Sequence, residues 1–497
     1  MTDTIIGVGE AGRRPTEVPA RFARSSWFRH DRFGMFIHWG PYSVPARGEW
    51  LRSHEQVGIE DYRFAVDGFG AEDYDPHAWA ELAEAAGMKY AALTAKHHDG
   101  FCLFDSALTD YGSMHNGIGR DLVREFLDAF RARGIKVGLY YSLLDWHRPD
   151  YPHYGDFIHP ERENPAFADH QPDVESYRRF MHGQIKELCT DYGQLDILWF
   201  DFSYEDMGPE EWGAQELIEP VRALQPTALI DNRLEADGGG PGSIVTASPT
   251  DYSGDFASPE QLIPVDGIRA EDGAPVPWEA CITLNNNWGY TAGDDLWKSP
   301  EQLITKLVEC VAKGGNLLLN VGPDPRGRIQ PEAVERLRAI GDWLAVNGES
   351  VYGAGPAGLE TPEWGYYTRT DDALYAYVLR APIGPLALTG GLDKESIARI
   401  SLLADGRELQ QCDAWVVKSY PTSPSSSSAR SDTSPTRCRT RSTPSSRSRV
   451  QLRPPEAVQG ISVPGELPRD ASPRSAPPQA HRADERRPVV GGRGGVR

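Results

Sequence analysis

The chain has 497 residues, enough for one large domain and a second, smaller one. Lysine and arginine number 51 against 72 aspartates and glutamates, a formal net charge of −21, so nucleic acid and anionic membrane surfaces are not expected partners. Six scattered cysteines without a C-x-x-C pair indicate neither a disulfide scaffold nor a zinc framework.

The first residues carry no targeting signal that we can identify. Met1 to Pro15 has no apolar core of the kind a signal peptide needs, and no run approaches the ~18 apolar residues of a membrane span. Unpaired thiols suit a reducing compartment, so we expect a cytoplasmic protein. Residues 1–20 are predicted to be a loose leader.

From residue 21 to residue 347, short apolar runs alternate with amphipathic segments. The apolar runs are Phe33–Ile37, Tyr90–Thr94, Val137–Tyr141, Leu195–Phe200, Ala228–Ile230 and Asn316–Val321. The helical patterns include Pro76–Ala86, Leu122–Arg133, Val174–Tyr192 and Glu301–Ala312. Strands that alternate with helices predict parallel βα units, and their uninterrupted apolar character indicates burial on both faces. We therefore predict an α/β fold, a (β/α)₈-type (TIM-like) barrel, over residues 21–347.

The pattern changes beyond Val351. Short strand-like stretches separated by turn residues predict a small, incomplete β-sandwich domain over residues 348–418. After about Tyr420 the chain is rich in Ser, Pro and Arg, and we predict a disordered tail over residues 419–497. The abrupt change of composition also fits a reading-frame error, and the sequence leaves both readings open.

Polar and aromatic residues follow five of the predicted strands. These sets are His38-Trp39-Gly40, Lys96-His97-His98-Asp99-Gly100, Tyr140-Tyr141-Ser142 with Asp145-Trp146-His147, Asp201, and Asp231-Asn232-Arg233. The carboxyl ends of barrel strands meet at one face, where catalytic residues are found. Imidazoles, arginine and aromatic rings around two carboxylates suit a polyhydroxyl ligand. Glycoside hydrolysis with retention needs two carboxyl groups ~5–5.5 Å apart in different environments.

Several motifs in order resemble the α-L-fucosidases of glycoside hydrolase family 29. They are Phe36-Ile37-His38-Trp39-Gly40, Glu49-Trp50, Lys96-His97-His98-Asp99-Gly100-Phe101, Tyr140-Tyr141-Ser142, Asp145-Trp146-His147, Leu198-Trp199-Phe200-Asp201 and the stretch from Lys313 to Pro323. The resemblance runs from about Phe22 to Gly353. It implies a retaining exo-glycosidase that hydrolyses terminal α-L-fucosyl linkages through a covalent fucosyl-enzyme, without metal or organic cofactor. The implied partner is a fucosylated oligosaccharide or glycoconjugate, and the sequence leaves a homo-oligomer open.

The same resemblance implies the site residues. Asp201 matches the nucleophile, and Glu260, within Gly254–Gln261, matches the stretch that carries the acid/base, although Glu271 and Glu279 lie nearby and stay open. Substrate contacts are expected from His38, Glu49, Trp50, His97, His98, Tyr140, Trp199, Arg233 and Trp288. The chain departs from the pattern at Phe202, where most relatives have glycine, and in an inserted stretch over residues 237–250.

Other interpretations of these residues remain. Asp201 could cap a helix, and the tryptophans could be ordinary core residues. A metal-dependent barrel hydrolase would use His38, His97 and Asp201 as ligands. Consecutive strand residues point to opposite faces, which makes a metal shared by His97 and His98 awkward. A non-catalytic fucose-binding relative, and the same chemistry on an α-galactoside-like sugar, are further alternatives.

Overall fold

A computed structural model describes residues 3–8, 20–204, 207–234, 254–270, 273–381, 386–388, 399–411 and 436–440. The inserted stretch at 237–250 and Glu271 lie outside these residues, and so does the predicted tail except for residues 436–440. No helix within the described ranges is long and apolar enough to cross a membrane.

The described residues contain two kinds of strand. Seven of them form a parallel sheet, and the others belong to antiparallel sheets. The strands are β1 (Asp3–Val8), β2 (Phe33–Ile37), β3 (Tyr90–Lys96), β4 (Lys136–Ser142), β5 (Ile197–Asp201), β6 (Leu229–Ile230), β7 (Glu279–Thr283), β8 (Asn316–Val321), β9 (Gly355–Pro356), β10 (Gly365–Arg369), β11 (Ala373–Val378), β12 (Ala387–Leu388), β13 (Arg399–Leu402), β14 (Leu409–Gln411) and β15 (Thr436–Thr440).

Helices separate most of the parallel strands. They are α1 (Ser26–Asp31), α2 (Leu51–His54), α3 (Arg63–Gly68), α4 (Pro76–Ala85), α5 (Leu122–Ala132), α6 (Val174–Asp191), α7 (Pro209–Trp212), α8 (Ala214–Leu224), α9 (Pro300–Ala312) and α10 (Pro331–Asn347). Short 3₁₀ turns lie at Ala20–Ser25, Pro41–Ser43, Pro165–Phe167 and Gly348–Ser350. Two of the long helices begin where a side chain accepts a backbone N–H of the first turn, that of Asp121 for α5 and that of Asp173 for α6.

The parallel sheet has the order β6-β5-β4-β3-β2-β8-β7. Every neighbouring pair is parallel, with α4, α5 and α6 each lying between successive strands in the chain. The predicted α/β class is therefore confirmed. Each predicted apolar run contributes to one of these strands, but β7 was not predicted, because Glu279 and Thr283 at its ends interrupt the apolar pattern.

A segment without regular strand structure joins the two edges of this sheet. Residues 254–261 make parallel bridges to the end of β6 through Phe256 and to the β7 side through Ala257 and Glu260. Asp255 anchors the segment, because its carboxylate accepts the Ile230 N–H at 2.9 Å and pairs with two arginines, Arg24 at 2.8 Å and Arg222 at 2.7 Å. Glu260 is thus carried on backbone that is tied to both edges.

The inner face of the curled sheet is packed with side chains that alternate along the strands. Its core is made of Phe28, Phe36, Tyr90, Ala92, Tyr140, Ile197, Trp199, Leu229, Phe256, Cys281 and Leu318. On β5, Ile197, Trp199 and Asp201 share one face because strand residues two apart point the same way. The apolar packing fills the lower part, and Asp201 lies above it at the carboxyl end.

Two antiparallel sheets complete the described structure. One has the order β13-β1-β11-β10-β9 and the other β12-β15-β14. Two of these strands fall where the sequence predicts none. β1 lies in the predicted leader and pairs with β11 and β13, and β15 lies in the predicted tail and pairs with β12 and β14. Pairing with distant strands satisfies the backbone N–H and C=O groups of both segments, which local composition does not reveal. The predicted domain limits stay predictions.

Candidate active site

A cavity of about 120 Å³ opens at the carboxyl end of the parallel sheet. Every predicted site residue except Glu49 lines it. The lining consists of Phe36, His38, Trp50, His97, His98, Tyr140, Trp199, Asp201, Phe202, Arg233, Glu260, Cys281 and Trp288. Separate strands and their following loops deliver these side chains, as the sequence predicts.

Asp201 ends β5, and three side chains surround its carboxylate. The Tyr140 hydroxyl donates to Oδ2 at 2.6 Å, and Arg233 Nη1 donates to Oδ1 at 2.5 Å. His98 Nε2 lies 3.9 Å from Oδ2. Because both oxygens have a donor, the orientation of the carboxylate is fixed. Asp201 does not cap a helix, because β5 ends at Asp201 and the next helix, α7, begins at Pro209 with Gly208 as its N-cap.

Arg233 follows β6 and joins the two predicted catalytic carboxylates. Nη1 donates to Asp201, while Nη2 donates to Glu260 Oε2 at 3.0 Å. Nε is held by Ser258 Oγ at 3.1 Å. Burial lowers the pKa of Arg233, but the charges of Asp201 and Glu260 outweigh it and raise the pKa overall. Two carboxylates that bind the same planar guanidinium must lie close together. The two catalytic carboxyl groups of a retaining glycoside hydrolase are likewise close, ~5–5.5 Å apart.

The two carboxylates differ in their access to water. The Asp201 side chain is 10% exposed and the Glu260 side chain is 29% exposed. The enclosed group is attached to a rigid strand, whereas the more open group lies on the segment between β6 and β7. The Glu260 carboxyl group is therefore reached more easily from the mouth of the cavity than the Asp201 carboxyl group.

His38 is oriented by Asn320, a residue of β8. Asn320 Nδ2 donates to the Trp288 carbonyl at 2.7 Å, so its Oδ1 is the atom that accepts from His38 Nδ1 at 2.7 Å. Nδ1 of His38 therefore carries the proton, and Nε2 is left as a hydrogen-bond acceptor. Burial lowers the pKa of His38 to about 3, so the ring is neutral near pH 7.

His98 is oriented in the same way by Ser142. The Ser142 hydroxyl donates to the Leu144 carbonyl at 2.9 Å, and it therefore accepts from His98 Nδ1 at 2.7 Å. Burial lowers the pKa of His97 and of His98 well below 6.5. The two rings, 4.1 Å apart, both line the cavity. The expectation that they point to opposite faces was wrong, because β3 ends at Lys96 and the strand alternation ends with it.

Aromatic rings form the walls. Trp199 lies under the Arg233 guanidinium, with 4.4 Å from Cζ to the ring centroid, and stacks on Tyr140 at 5.7 Å. Trp288 packs against His38 at 5.1 Å, and Phe36 packs against Trp199 at 5.2 Å. Both tryptophans are therefore part of the cavity wall as well as of the packed interior.

Glu49 takes a different place from the one predicted. Its carboxylate accepts the Gly289 N–H at 2.7 Å and is 6% exposed, so it supports the loop that carries Trp288 from behind. Burial raises the pKa of Glu49. Its neighbour Trp50 does reach the cavity.

Three lining residues were not predicted to be site residues: Phe36, Cys281 and Phe202. Phe36 lies two positions before His38, so strand alternation could have placed it on the same face. Cys281 lies on β7, the strand that the sequence pattern missed, and burial raises the pKa of its thiol well above the usual value. Phe202 was noted only as a departure from glycine.

Of the two alternative acids, Glu279 lies below the cavity. It is fully buried and accepts a hydrogen bond from the Tyr90 hydroxyl, and burial raises its pKa to about 8. Glu271 lies outside the described residues. Among the residues that the structure describes, no group of three or more His, Cys, Asp or Glu side chains is placed to hold a metal ion.

A parallel α/β sheet with two carboxylates above its inner face, surrounded by neutral hydrogen-bonding groups and aromatic walls, defines a glycoside hydrolase. The sequence profile of the family described as α-L-fucosidase matches residues 15–349. α-L-Fucosidase isoenzyme 1 from Paenibacillus thiaminolyticus is 51% identical, with a TM-score of 0.77, over 86% of this chain and 97% of that one. Human tissue α-L-fucosidase is 32% identical over 413 residues, 76% of this chain and 82% of the human protein.

A glycoside hydrolase family 29 fucosidase from Bacteroides thetaiotaomicron, solved as a trapped covalent intermediate with 2-fluoro-fucosyl fluoride, is 27% identical with a TM-score of 0.66. It matches 82% of this chain and 93% of its own. The chain belongs to the α-L-fucosidase family, and the predicted retaining α-L-fucosidase activity is confirmed.

The buried, neutral state of His38 has a consequence for stability. Its pKa is about 3 in the folded protein against 6.5 in an unfolded chain. Between these values the unfolded state binds one more proton, so the free energy of unfolding decreases as pH falls below 6.5. We expect His38→Asn to reduce this slope near pH 5 by about 1.4 kcal/mol per pH unit, measured by urea unfolding between pH 7 and pH 4.5.

The matched control is His77→Asn, since His77 is exposed at the start of α4. If the free energy of unfolding changed equally with pH in the unchanged protein and in His38→Asn, the folded protein would accommodate the charged form of His38. The prediction would then be wrong.

Proposed function

We propose that Asp201 is the nucleophile and Glu260 the acid/base of a double-displacement hydrolysis of terminal α-L-fucosides. The observation that carries the proposal is the single guanidinium of Arg233 bound to both carboxylates in one cavity. The covalent intermediate trapped in the B. thetaiotaomicron relative supports a two-step route for this chain as well.

In the first step, an Asp201 oxygen attacks the anomeric carbon and the bond from that carbon to the leaving oxygen breaks. Glu260, in its protonated form, gives its proton to the departing oxygen, so the aglycone leaves as a neutral alcohol. The hydrogen bonds from Tyr140 and Arg233 hold the Asp201 carboxylate in position for the attack. The product of this step is a fucosyl ester of Asp201.

In the second step, water occupies the place of the leaving group. Glu260 removes a proton from it, the water oxygen bonds to the anomeric carbon, and the ester bond to Asp201 breaks. Fucose is released with its original anomeric configuration, and both carboxyl groups return to their starting states. No step requires a cofactor.

The histidines and the walls provide recognition of the sugar. With Nδ1 protonated, His38 and His98 each offer Nε2 as an acceptor for a sugar hydroxyl, and their neutrality at pH 7 avoids a buried charge beside Arg233. Trp199 or Trp288 would face the methyl group that distinguishes fucose from a galactose-like ring. A cavity of about 120 Å³ suits one terminal sugar, as an exo-acting enzyme requires.

We further propose that the fold is a closed (β/α)₈-type barrel followed by a β-sandwich. The bridges of residues 254–261 to both edges of the sheet support a closed (β/α)₈-type barrel. The antiparallel sheets support a β-sandwich that follows it. The proposed substrate is a fucosylated oligosaccharide or glycoconjugate. From the sequence we also propose that the protein is cytoplasmic and has no nucleic-acid or membrane partner. A homo-oligomer is a further proposal from the sequence.

The other functions considered receive less support. A non-catalytic fucose-binding relative should lack one of the carboxylates, but both Asp201 and Glu260 line the cavity. A metal held by His38, His97 and Asp201 would lie beside the Arg233 guanidinium, whose positive charge repels a cation, and both Asp201 oxygens already accept hydrogen bonds from Arg233 and Tyr140.

Asp201→Ala should lower kcat for 4-nitrophenyl α-L-fucoside by at least about 10³-fold, because no other group can form the ester. Added azide should restore part of the rate and give β-L-fucosyl azide, since a small anion fits the space that the carboxylate leaves. Release of 4-nitrophenol measures the rate, and NMR of the azide product gives its configuration.

The control is Asp73→Ala, which removes an exposed carboxylate paired with Arg326. It should leave turnover unchanged. Full activity of a folded Asp201→Ala protein would refute the assignment of the nucleophile.

Glu260→Gln should separate substrates by their leaving groups. Hydrolysis of a fucosyl disaccharide should fall by about 10²–10⁴-fold in kcat/KM, because the departing alcohol needs a proton. α-L-Fucosyl fluoride needs no such proton, so its kcat/KM should change by less than about tenfold. Fluoride release and released fucose measure the two reactions.

Glu271→Gln is the matched control for this test and should behave as the unchanged protein. If Glu271→Gln shows the leaving-group pattern and Glu260→Gln does not, then Glu271 is the acid/base and the present assignment is wrong.

A further inference from the structure

Phe202, the residue after Asp201, has an unusual backbone. Its φ is +83°, a region that glycine adopts easily and that is unfavourable for a residue with a side chain. Such strain persists where surrounding contacts hold it, and it is concentrated at ligand-binding sites. Phe202 also lines the cavity.

The ring of Phe202 packs into the wall of the cavity. It lies 5.3 Å from the ring of Trp50 and 5.3 Å from the ring of His98, and the residue is only 8% exposed. Ser203, the next residue, donates to the Arg233 carbonyl at 2.6 Å and so holds the chain against the segment after β6. The strained backbone thus directs an aromatic side chain to the cavity beside the nucleophile.

A line of rings continues from Phe202 to the surface. Tyr204 lies 6.1 Å from Phe202, and Phe157 lies 5.4 Å from Tyr204. The Tyr204 hydroxyl is fixed by Tyr151 at 2.7 Å and by Asp156, so the middle ring is held in place. Phe157 is 49% exposed although it belongs to this packed line. We call Phe202, Tyr204 and Phe157 the aromatic track.

We propose that Phe157, at the exposed end of the aromatic track, forms the subsite for the sugar ring that follows the terminal fucose. The inference rests on the proposed function and extends it to the rest of the substrate. The cavity suits one sugar, so a longer glycan leaves it through the mouth. The half-exposed ring of Phe157, at the outer end of the line of rings that begins in the cavity wall, can pack against the C–H face of a neutral pyranose. The occupant is thus a neutral sugar of the leaving group.

Phe157→Ala tests this proposal, because the ring is half exposed and its removal should leave the fold intact. We expect KM for the best substrate in a panel of α-L-fucosyl disaccharides that differ only in linkage to rise about three- to tenfold. The kcat/KM for α-L-fucosyl fluoride, which has no second sugar, should be unchanged. Phe157→Tyr keeps a ring and should keep the KM of the unchanged protein.

Phe64→Ala is the matched control, since Phe64 is 51% exposed on α3 and does not line the cavity. It should affect neither substrate. An equal loss of Phe157→Ala activity toward disaccharide and fluoride, or no loss toward either, would overturn the proposal. Fluoride hydrolysis by the unchanged protein reports on the proposed function alone, so failure of that function is seen separately.

Discussion

The site depends on one buried cation, Arg233. A guanidinium removed from water must be paired, and here Asp201 and Glu260 supply the two carboxylates. The pairs bring together three parts of the chain, the end of β5, the residues after β6 and the segment that joins β6 to β7. Removal of either carboxylate leaves the guanidinium with one charged partner instead of two. The requirement for pairing therefore fixes the relative position of the two groups that we propose as nucleophile and acid/base, which a retaining hydrolase needs close together.

The rest of the cavity is uncharged, and this follows from its burial. Histidine rings there are neutral, and their tautomers are set by Asn320 and by Ser142 on neighbouring strands. An acceptor nitrogen on each of His38 and His98 then faces the cavity, together with aromatic walls. Such a lining matches a sugar, which offers hydroxyl donors and apolar C–H faces. Among the lining residues, charge is confined to Arg233, Asp201 and Glu260, where the proposed reaction takes place.

The parallel part of the fold could be predicted because its strands are buried on both faces and so read as uninterrupted apolar runs. β7 was missed because Glu279 starts it, a polar residue inside the sheet whose burial only the three-dimensional packing explains. β1 and β15 were missed for another reason. Their partners are far away in sequence, so no local pattern reveals them.

The site could be predicted where residues follow strands and match known motifs, as with Asp201 and His38. It could not be predicted where a loop decides the direction of a side chain. Glu49 turns toward the backbone of Gly289 instead of the cavity, and Phe202 turns into it at the cost of a left-handed backbone. Neither choice is encoded in a short motif, because each depends on contacts with other segments.

The most direct test of this account is to identify the residue that becomes bonded to the sugar. The protein would be treated with 2-fluoro-fucosyl fluoride, digested, and its peptides analysed by tandem mass spectrometry. The account predicts one fluorofucosyl group, attached to the Asp201 side chain at the end of β5. A label on Glu260 or any other residue would contradict it, and so would turnover of the reagent by a folded Asp201→Ala protein with a labelled peptide elsewhere.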